Sequence, residues 1–433
     1  MTPNPFSFGN PIREPARFVG RSEELRQIVN RLRSSAHEST SIVGERRIGK
    51  TSLLKHLENS TVAQSLGLPP DQFCMVYMDF QGLTDITPDR FWQRVLQKLE
   101  RAICKPQLSA DIKQLRAQGA FDLFDLEDLF AMIADEALTP VLLLDEFEYI
   151  TQNPNFGSDF FGGLRALAIH QNLPLVTATR RELVDLCHSE ELKGSPFFNI
   201  FANIVLRPFY HEDVQALLQG YLEGTGISFA EKEAELVLKL GGGYPFFTQM
   251  AAFYVYEARS AGLSGVELVA RVCSQFDAQA EAHFTYMWSH TNESEKITLL
   301  SDMALSRQKP TPKTVPTLEN LAAVHRRAHL DVPELVKRGL LIENKLTGSY
   351  ELLSASFERW IAHELLASPG DEDGQATVGE WLESGGKENF EPAANFLPKF
   401  KKKYWPMLSG FAKDISLELI GSLAFEILAK GII

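Results

Sequence analysis

The chain has 433 residues, 44% of them hydrophobic, which is enough for two to four domains with buried cores. A formal net charge of −13 argues against a broad, nonspecific grip on nucleic acid. The first residues lack the basic and apolar regions of a secretory signal, and no uncharged apolar stretch reaches the length of a membrane span. The four cysteines (Cys74, Cys104, Cys187 and Cys273) are too scattered for a disulfide framework or a metal site, so a reducing cytoplasm is the expected compartment.

Residues 1–17 are rich in proline and read as an extended arm. Phe18-Val19-Gly20-Arg21-Ser22-Glu23-Glu24-Leu25 follows as a turn and a helix start, with Ser22 as its expected cap. From here to about Leu206, five short runs rich in Val, Ile and Leu alternate with helical stretches: Thr40–Val43, Met75–Phe80, Val141–Phe147, Leu173–Thr179 and Asn203–Leu206. Uninterrupted apolar strands separated by helices predict a parallel sheet covered on both faces. Residues 208–280 read as a helical lid and 281–366 as a winged-helix domain, closed by a hairpin of Gly339–Asn344 and Tyr350–Leu353. A linker over 367–394 then leads to an apolar helical segment, 395–433.

Three motifs carry chemistry. Gly44-Glu45-Arg46-Arg47-Ile48-Gly49-Lys50-Thr51, with Ser52 after it, fits the phosphate-binding pattern G-x-x-x-x-G-K-[ST] between a strand and a helix. Glycines let backbone N–H groups close on phosphate oxygens, and the helix start adds partial positive charge. Lys50 is expected to reach the β/γ-phosphates of ATP or ADP, and Thr51 to hold Mg²⁺. Arg46 and Arg47 are expected to project from the cradle. Val141-Leu142-Leu143-Leu144-Asp145-Glu146 runs four apolar residues into two carboxylates, which suits Asp145 for Mg²⁺ and Glu146 for polarising an attacking water. Thr179 and Arg180 end another strand, where a polar side chain can sense the γ-phosphate. Read alone, Arg180 is equally well a solvated charge at a strand end.

Together these motifs resemble the AAA-like ATPases of the STAND class, relatives of archaeal ATPases and NB-ARC proteins, over about residues 17–365. The resemblance implies an α/β P-loop NTPase of the ASCE type, with a five-stranded parallel sheet followed by a helical lid, a winged helix and a C-terminal helical tail. Phe160–Arg165 and Ser195–Phe201 also resemble segments of prokaryotic AAA-like ATPases, less specifically. The family's lid carries a Gly-x-Pro-like turn near the adenine, matched here by Gly243-Tyr244-Pro245. Val19, Gly20 and Arg21 stand where the block preceding the P-loop contributes to the nucleotide site. No arginine stands in Thr248–Phe253, directly after the Pro245 turn, which favours the STAND class over AAA+ motors. NB-ARC relatives place a Met-His-Asp motif in the winged helix, but this chain has Leu353-Ser354-Ala355-Ser356-Phe357, without a histidine.

The resemblance implies a slowly hydrolysing switch whose nucleotide, between sheet domain, lid and winged helix, sets packing and homo-oligomerisation, in stress or antiphage signalling. A protein trigger is an expected partner. The alternative is a DNA-associated ATPase of the replication-initiator or transposition-regulator type. Residues 292–360 disfavour it, since ten Lys/Arg against nine Asp/Glu leave a net charge of about +1. In the tail, Lys399-Phe400-Lys401-Lys402-Lys403-Tyr404-Trp405 precedes a helical pattern with Asp414, Glu418, Ser422, Glu426 and Lys430 on one stripe. Such a helix docks internally, joins other copies or enters a membrane interface, and the last option would take an otherwise cytoplasmic protein to the membrane on activation.

Overall fold

The structure is a computed structural model and describes residues 3–119, 121–189 and 193–364. The expected linker and apolar tail, 367–433, lie outside the described residues. The described residues divide into two compact units, one of Asn10–Leu206 and one of residues 3–9 with 207–364.

The first unit is built on five parallel strands: β1 Thr40–Val43, β2 Phe73–Asp79, β3 Thr139–Asp145, β4 Leu175–Thr179 and β5 Ala202–Val205. Their spatial order is β2-β3-β4-β1-β5. Every residue of β1, β3 and β4 is buried, because helices cover both faces of a parallel sheet and leave no wet side. Alternation is therefore missing from these strands, and continuous apolar runs mark them instead. The first unit contains α1 Ser22–Leu32, α2 Lys50–Glu58, α3 Ser60–Ser65, α4 Pro88–Ala102, α5 Pro106–Ala117, α6 Leu123–Asp135, the single turn α7 Glu148–Thr151, and α8 Ser158–His170.

The expected strands are all present; β1 has the expected ends, and the others are shifted by at most two residues. The shift matters at β3, which stops at Asp145, so Glu146 and Phe147 lie in the turn leading to α7. Ser22 is the first residue of α1 and not its cap; Arg21 holds the cap position without a side-chain capping bond. Phe80, Phe91, Phe147, Phe156 and Phe161 are fully buried and join one aromatic cluster below the strand ends. Rings of this size remove much apolar area from water and make the ends of β2 and β3 stiff.

The second unit is helical, with α9 His211–Leu222, α10 Glu231–Gly241, α11 Pro245–Ser260 and α12 Gly265–Ser289. It continues through α13 Glu293–Ser306, α14 Leu318–Val324 and α15 Ala328–Lys337 to an antiparallel hairpin, β6 Leu341–Asn344 and β7 Ser349–Leu352, then α16 Ala355–Glu364. Three helices and a hairpin make the winged helix. Helix α12 runs unbroken through residue 280, where the sequence suggested a domain boundary, because its buried Phe276, Ala280, Phe284 and Met287 carry one apolar stripe across that point. The arm is shared between the units. Its Phe6 is 1% exposed and stacks on Tyr221 with centroids 5.4 Å apart. Farther along, the Ile12 N–H donates to Ser52 Oγ at 3.0 Å.

The glycine turn between α10 and α11 is a close-packed joint within this unit. Gly242 has φ +57°, and a Cβ there would lie 1.6 Å from the Leu353 carbonyl oxygen. The Phe209 N–H donates to the neighbouring Gly243 carbonyl at 2.7 Å. Only a residue without a side chain lets the backbone before α16 approach this turn.

Candidate functional site: a phosphate cradle at the strand ends

Parallel registers bring the carboxyl ends of the five strands level: Val43 pairs with Thr179 and with Val205, and Asp145 pairs with Ala178 and with Asp79. Strand β4 lies between β1 and β3, so the loop after β1 opens beside the ends of β4 and β3. Crevices at the carboxyl ends of such sheets are where ligands bind.

The Gly44–Gly49 loop closes against its own scaffold. The Gly44 N–H donates to the Thr179 carbonyl at 3.1 Å, and Ile48 is buried at 1% exposure. Gly49, at φ +104°, makes the bend into α2 that a β-carbon would strain. Arg21 is 5% exposed and fixes the loop from outside, donating from Nη2 to the Ile48 carbonyl at 3.1 Å and from Nη1 to Glu24 at 3.0 Å. Phe18 stacks on His56 of α2 at 4.0 Å, and burial pulls that imidazole's pKa down. Val19 and Gly20, half-buried, thus run between one residue fixed on α2 and one fixed on the loop.

Lys50 is 4% exposed, and its ammonium donates to the carbonyls of Gly44 at 2.8 Å and Glu45 at 3.3 Å, curling over the cradle. Glu45 is buried and accepts from the Arg46 N–H at 3.1 Å, whereas Arg46 and Arg47 are exposed, as expected. Arg47 adopts φ +69°. Ser52 sits one residue past Thr51 in the first turn of α2, whose free N–H groups and dipole favour an anion.

Asp145 is 1% exposed and held from three directions. Its Oδ2 accepts from Tyr77 Oη at 2.9 Å, its Oδ1 from the Glu146 N–H at 3.0 Å, and Thr51 also bonds to it. Burial raises its pKa against the pull of these donors. Glu146 adopts φ +52°, a left-handed conformation that costs a non-glycine residue about 1 kcal/mol or more. Burial first, then the charge of Glu148, raises the Glu146 pKa, while Lys50 and Arg180 pull it down. A carboxylate raised in this way takes a proton from water more readily.

Arg180 is not a solvated charge. Its Nε donates to Glu148 Oε1 at 2.9 Å. Thr179 donates its hydroxyl to the Arg181 carbonyl at 2.7 Å, which shapes the turn under Arg180. Pro245 is the first residue of α11, in the second unit. Two site residues escape sequence reasoning. Glu148 was hinted at by the repeated acid in Asp145-Glu146-Phe147-Glu148. Tyr77 carried no local signal, since only the β2–β3 register puts its hydroxyl beside Asp145. The segments Phe160–Arg165 and Ser195–Phe201 contribute to the aromatic core, through contacts such as Phe161 with Phe197 at 5.2 Å.

The oxygen donors Thr51 and Asp145, already bonded to each other at the mouth of a phosphate cradle, are the hard ligands that Mg²⁺ takes together with phosphates and water. A lysine-capped loop between β1 and α2, with an acid-tipped strand one place removed across β4, defines a P-loop NTPase of the ASCE type. The family profile described as Novel STAND NTPase 2 matches residues 28–303, more than half of the chain, and the protein belongs to that family. Among solved structures it is similar to the Walker-type ATPase of Pyrococcus abyssi, at 16% identity and a TM-score of 0.52, over 81% of this chain and 98% of that one. It is also similar to the ORC2 protein of Aeropyrum pernix in ADPNP–ADP complexes, at 16% identity and a TM-score of 0.49, over 83% of this chain and 95% of that one. No curated relative matches the sequence. Among the described residues no helix is long and apolar enough to cross a membrane.

Proposed function

We propose that this protein is a nucleotide-operated switch that binds ATP on Gly44–Ser52, hydrolyses it slowly, and assembles according to the nucleotide it holds. Family membership supports the binding; the carrying observation is the bond between the half-buried Thr51 and the buried, multiply bonded Asp145 beside Lys50. Thr51 and Asp145 would hold Mg²⁺, which neutralises phosphate charge when bound. Lys50 leaves its carbonyl partners for the β/γ-phosphates. Glu146 orients a water and takes its proton as the oxygen attacks the γ-phosphorus. The bond from that phosphorus to the bridging oxygen breaks, leaving ADP and phosphate. Arg180 meets the γ-phosphate, and Val19 and Gly20 border the base.

In this reading the presence of the γ-phosphate sets domain packing and exposes an oligomerisation surface, in prokaryotic stress or antiphage signalling. Mass photometry of the full chain tests it. Glu146→Gln with ATP should give larger particles than with ADP, and Lys50→Ala should give none. Identical sizes in ATP and ADP, with hydrolysis that rises many-fold on added DNA, would replace the switch by a DNA-handling ATPase.

A further inference from the structure

Glu148 belongs to no part of the site as motifs define it, yet its side chain is 1% exposed and sits one helical turn past Asp145 at the head of α7. Its partner Arg180 is asymmetric to it, with 31% of the side chain exposed. The acid is therefore rooted in the protein and the cation reaches outward from it. Glu148 Oε1 takes the Arg180 Nε–H at 2.9 Å, and its buried Oε2 has no hydrogen-bond partner. Burying a carboxylate is strongly unfavourable without a cation. Taking Arg180 away would strip Glu148 of the only bond that the described residues make to either oxygen, so the guanidinium can rotate on this contact but cannot leave it cheaply. A guanidinium is a rigid planar fork, and fixing Nε restricts where its other N–H groups point.

We propose that Glu148 is a positioning residue that tethers Arg180 by Nε, so that the exposed part of the guanidinium is presented to the γ-phosphate and makes the site discriminate ATP from ADP. The proposal rests on the nucleotide-switch reading and adds to it the residue that orients the sensor. Pre-orienting a donor removes the entropy of ordering it at the moment of binding. Only a ligand with the third phosphate collects that gain.

Affinities of the full-length protein for AMP-PNP and ADP, with Mg²⁺, test this by calorimetry. Glu148→Met, which fills the acid's volume with an apolar chain, should weaken AMP-PNP by about tenfold or more while ADP affinity stays within about twofold. Glu148→Gln, whose amide oxygen still accepts from Nε, should recover most of that loss. Adding Glu148→Met to Arg180→Ala should cost nothing beyond Arg180→Ala alone. Equal weakening of both nucleotides by Glu148→Met, or an undiminished effect in the Arg180→Ala background, overturns the tether. A melting temperature checks that each variant is folded, and an unfolded Glu148→Met leaves the decision to Glu148→Gln against Arg180→Ala. There, a Gln variant as weak for AMP-PNP as Arg180→Ala counts against the tether, and one near wild type supports it. Wild-type protein that binds neither nucleotide, or a Lys50→Ala variant that binds both normally, removes the switch reading itself.

Discussion

Asp145 in the sheet unit and Asp302 in the winged helix are both carboxylates at 1% exposure, and they are treated in opposite ways. Asp145 accepts from Tyr77, Thr51 and the Glu146 amide. Neither oxygen of Asp302 has a hydrogen-bond partner, and burial, with Glu358 and Glu351 nearby, holds its pKa well above the usual range. Elsewhere in the winged helix, buried charged side chains have partners, although single atoms such as Glu334 Oε2 and Trp360 Nε1 have none. Arg338 donates to Glu295 at 2.9 Å and to Thr291 at 3.3 Å. Asp331 accepts from Ser294 at 2.5 Å and Thr298 at 2.9 Å, with His325 at 3.4 Å. Burial would raise the Asp331 pKa, but the hydrogen bonds from His325, Ser294 and Thr298 lower it overall. Buried charge in the sheet unit converges on one loop, where a ligand is expected. In the winged helix it mostly pairs element to element, as architecture does, and among the described residues Asp302 is the carboxylate there with neither oxygen bonded.

The largest effect that would sharpen this contrast is on turnover. Glu146→Gln should lower ATP hydrolysis by roughly 10²–10⁴-fold with nucleotide affinity retained, measured by phosphate release. Next, Arg338→Ala leaves Glu295 buried and uncompensated. It should cost about 3–5 kcal/mol in chemical denaturation, with nucleotide affinity of the folded protein unchanged. A large affinity loss there would break the division between site and architecture.

The effect of Asp302→Asn has the opposite sign. A carboxyl whose folded pKa is raised contributes stability below its unfolded pKa of about 4 and loses it as pH rises through the folded value. Asp302→Asn should therefore stabilise the winged helix at neutral pH, by about 1–3 kcal/mol. Asp331 runs the other way, its contribution being present above the unfolded pKa and lost as acid protonates it. Thermal melts at pH 4–8 of Asp302→Asn and Asp331→Asn should diverge accordingly, and parallel curves would refute the assignment. The smallest effect is Tyr77→Phe, which removes one donor from Asp145. It should weaken Mg²⁺-dependent ATP binding by about fivefold, near 1 kcal/mol, seen in a Mg²⁺ titration. No change would mean that Thr51 and the Glu146 amide hold Asp145 unaided.

Much of this was legible in one dimension where the chemistry is local. Gly44–Thr51 needs a strand, a turn and a helix in immediate succession, so the octapeptide announces itself. Asp145-Glu146 does so because four apolar residues precede it. Arg180 was undecided from its neighbours, since a cation at a strand end looks the same whether it faces water or an acid thirty-two residues earlier. Ser22 was misread as a cap because the chain's bend places Arg21 there, and Arg21 then serves the loop instead.

By itself the sequence determined the elements, their order along the chain and the phosphate-binding loop, because hydrophobic runs, glycines and the Lys-Thr pair act over a few residues. Only the tertiary structure decided that Tyr77 supports Asp145, that Glu148 holds Arg180, and that Gly242 must admit the Leu353 carbonyl. Each of these joins residues distant in the chain through register or close packing. Their energies come from burial and geometry that no local pattern contains.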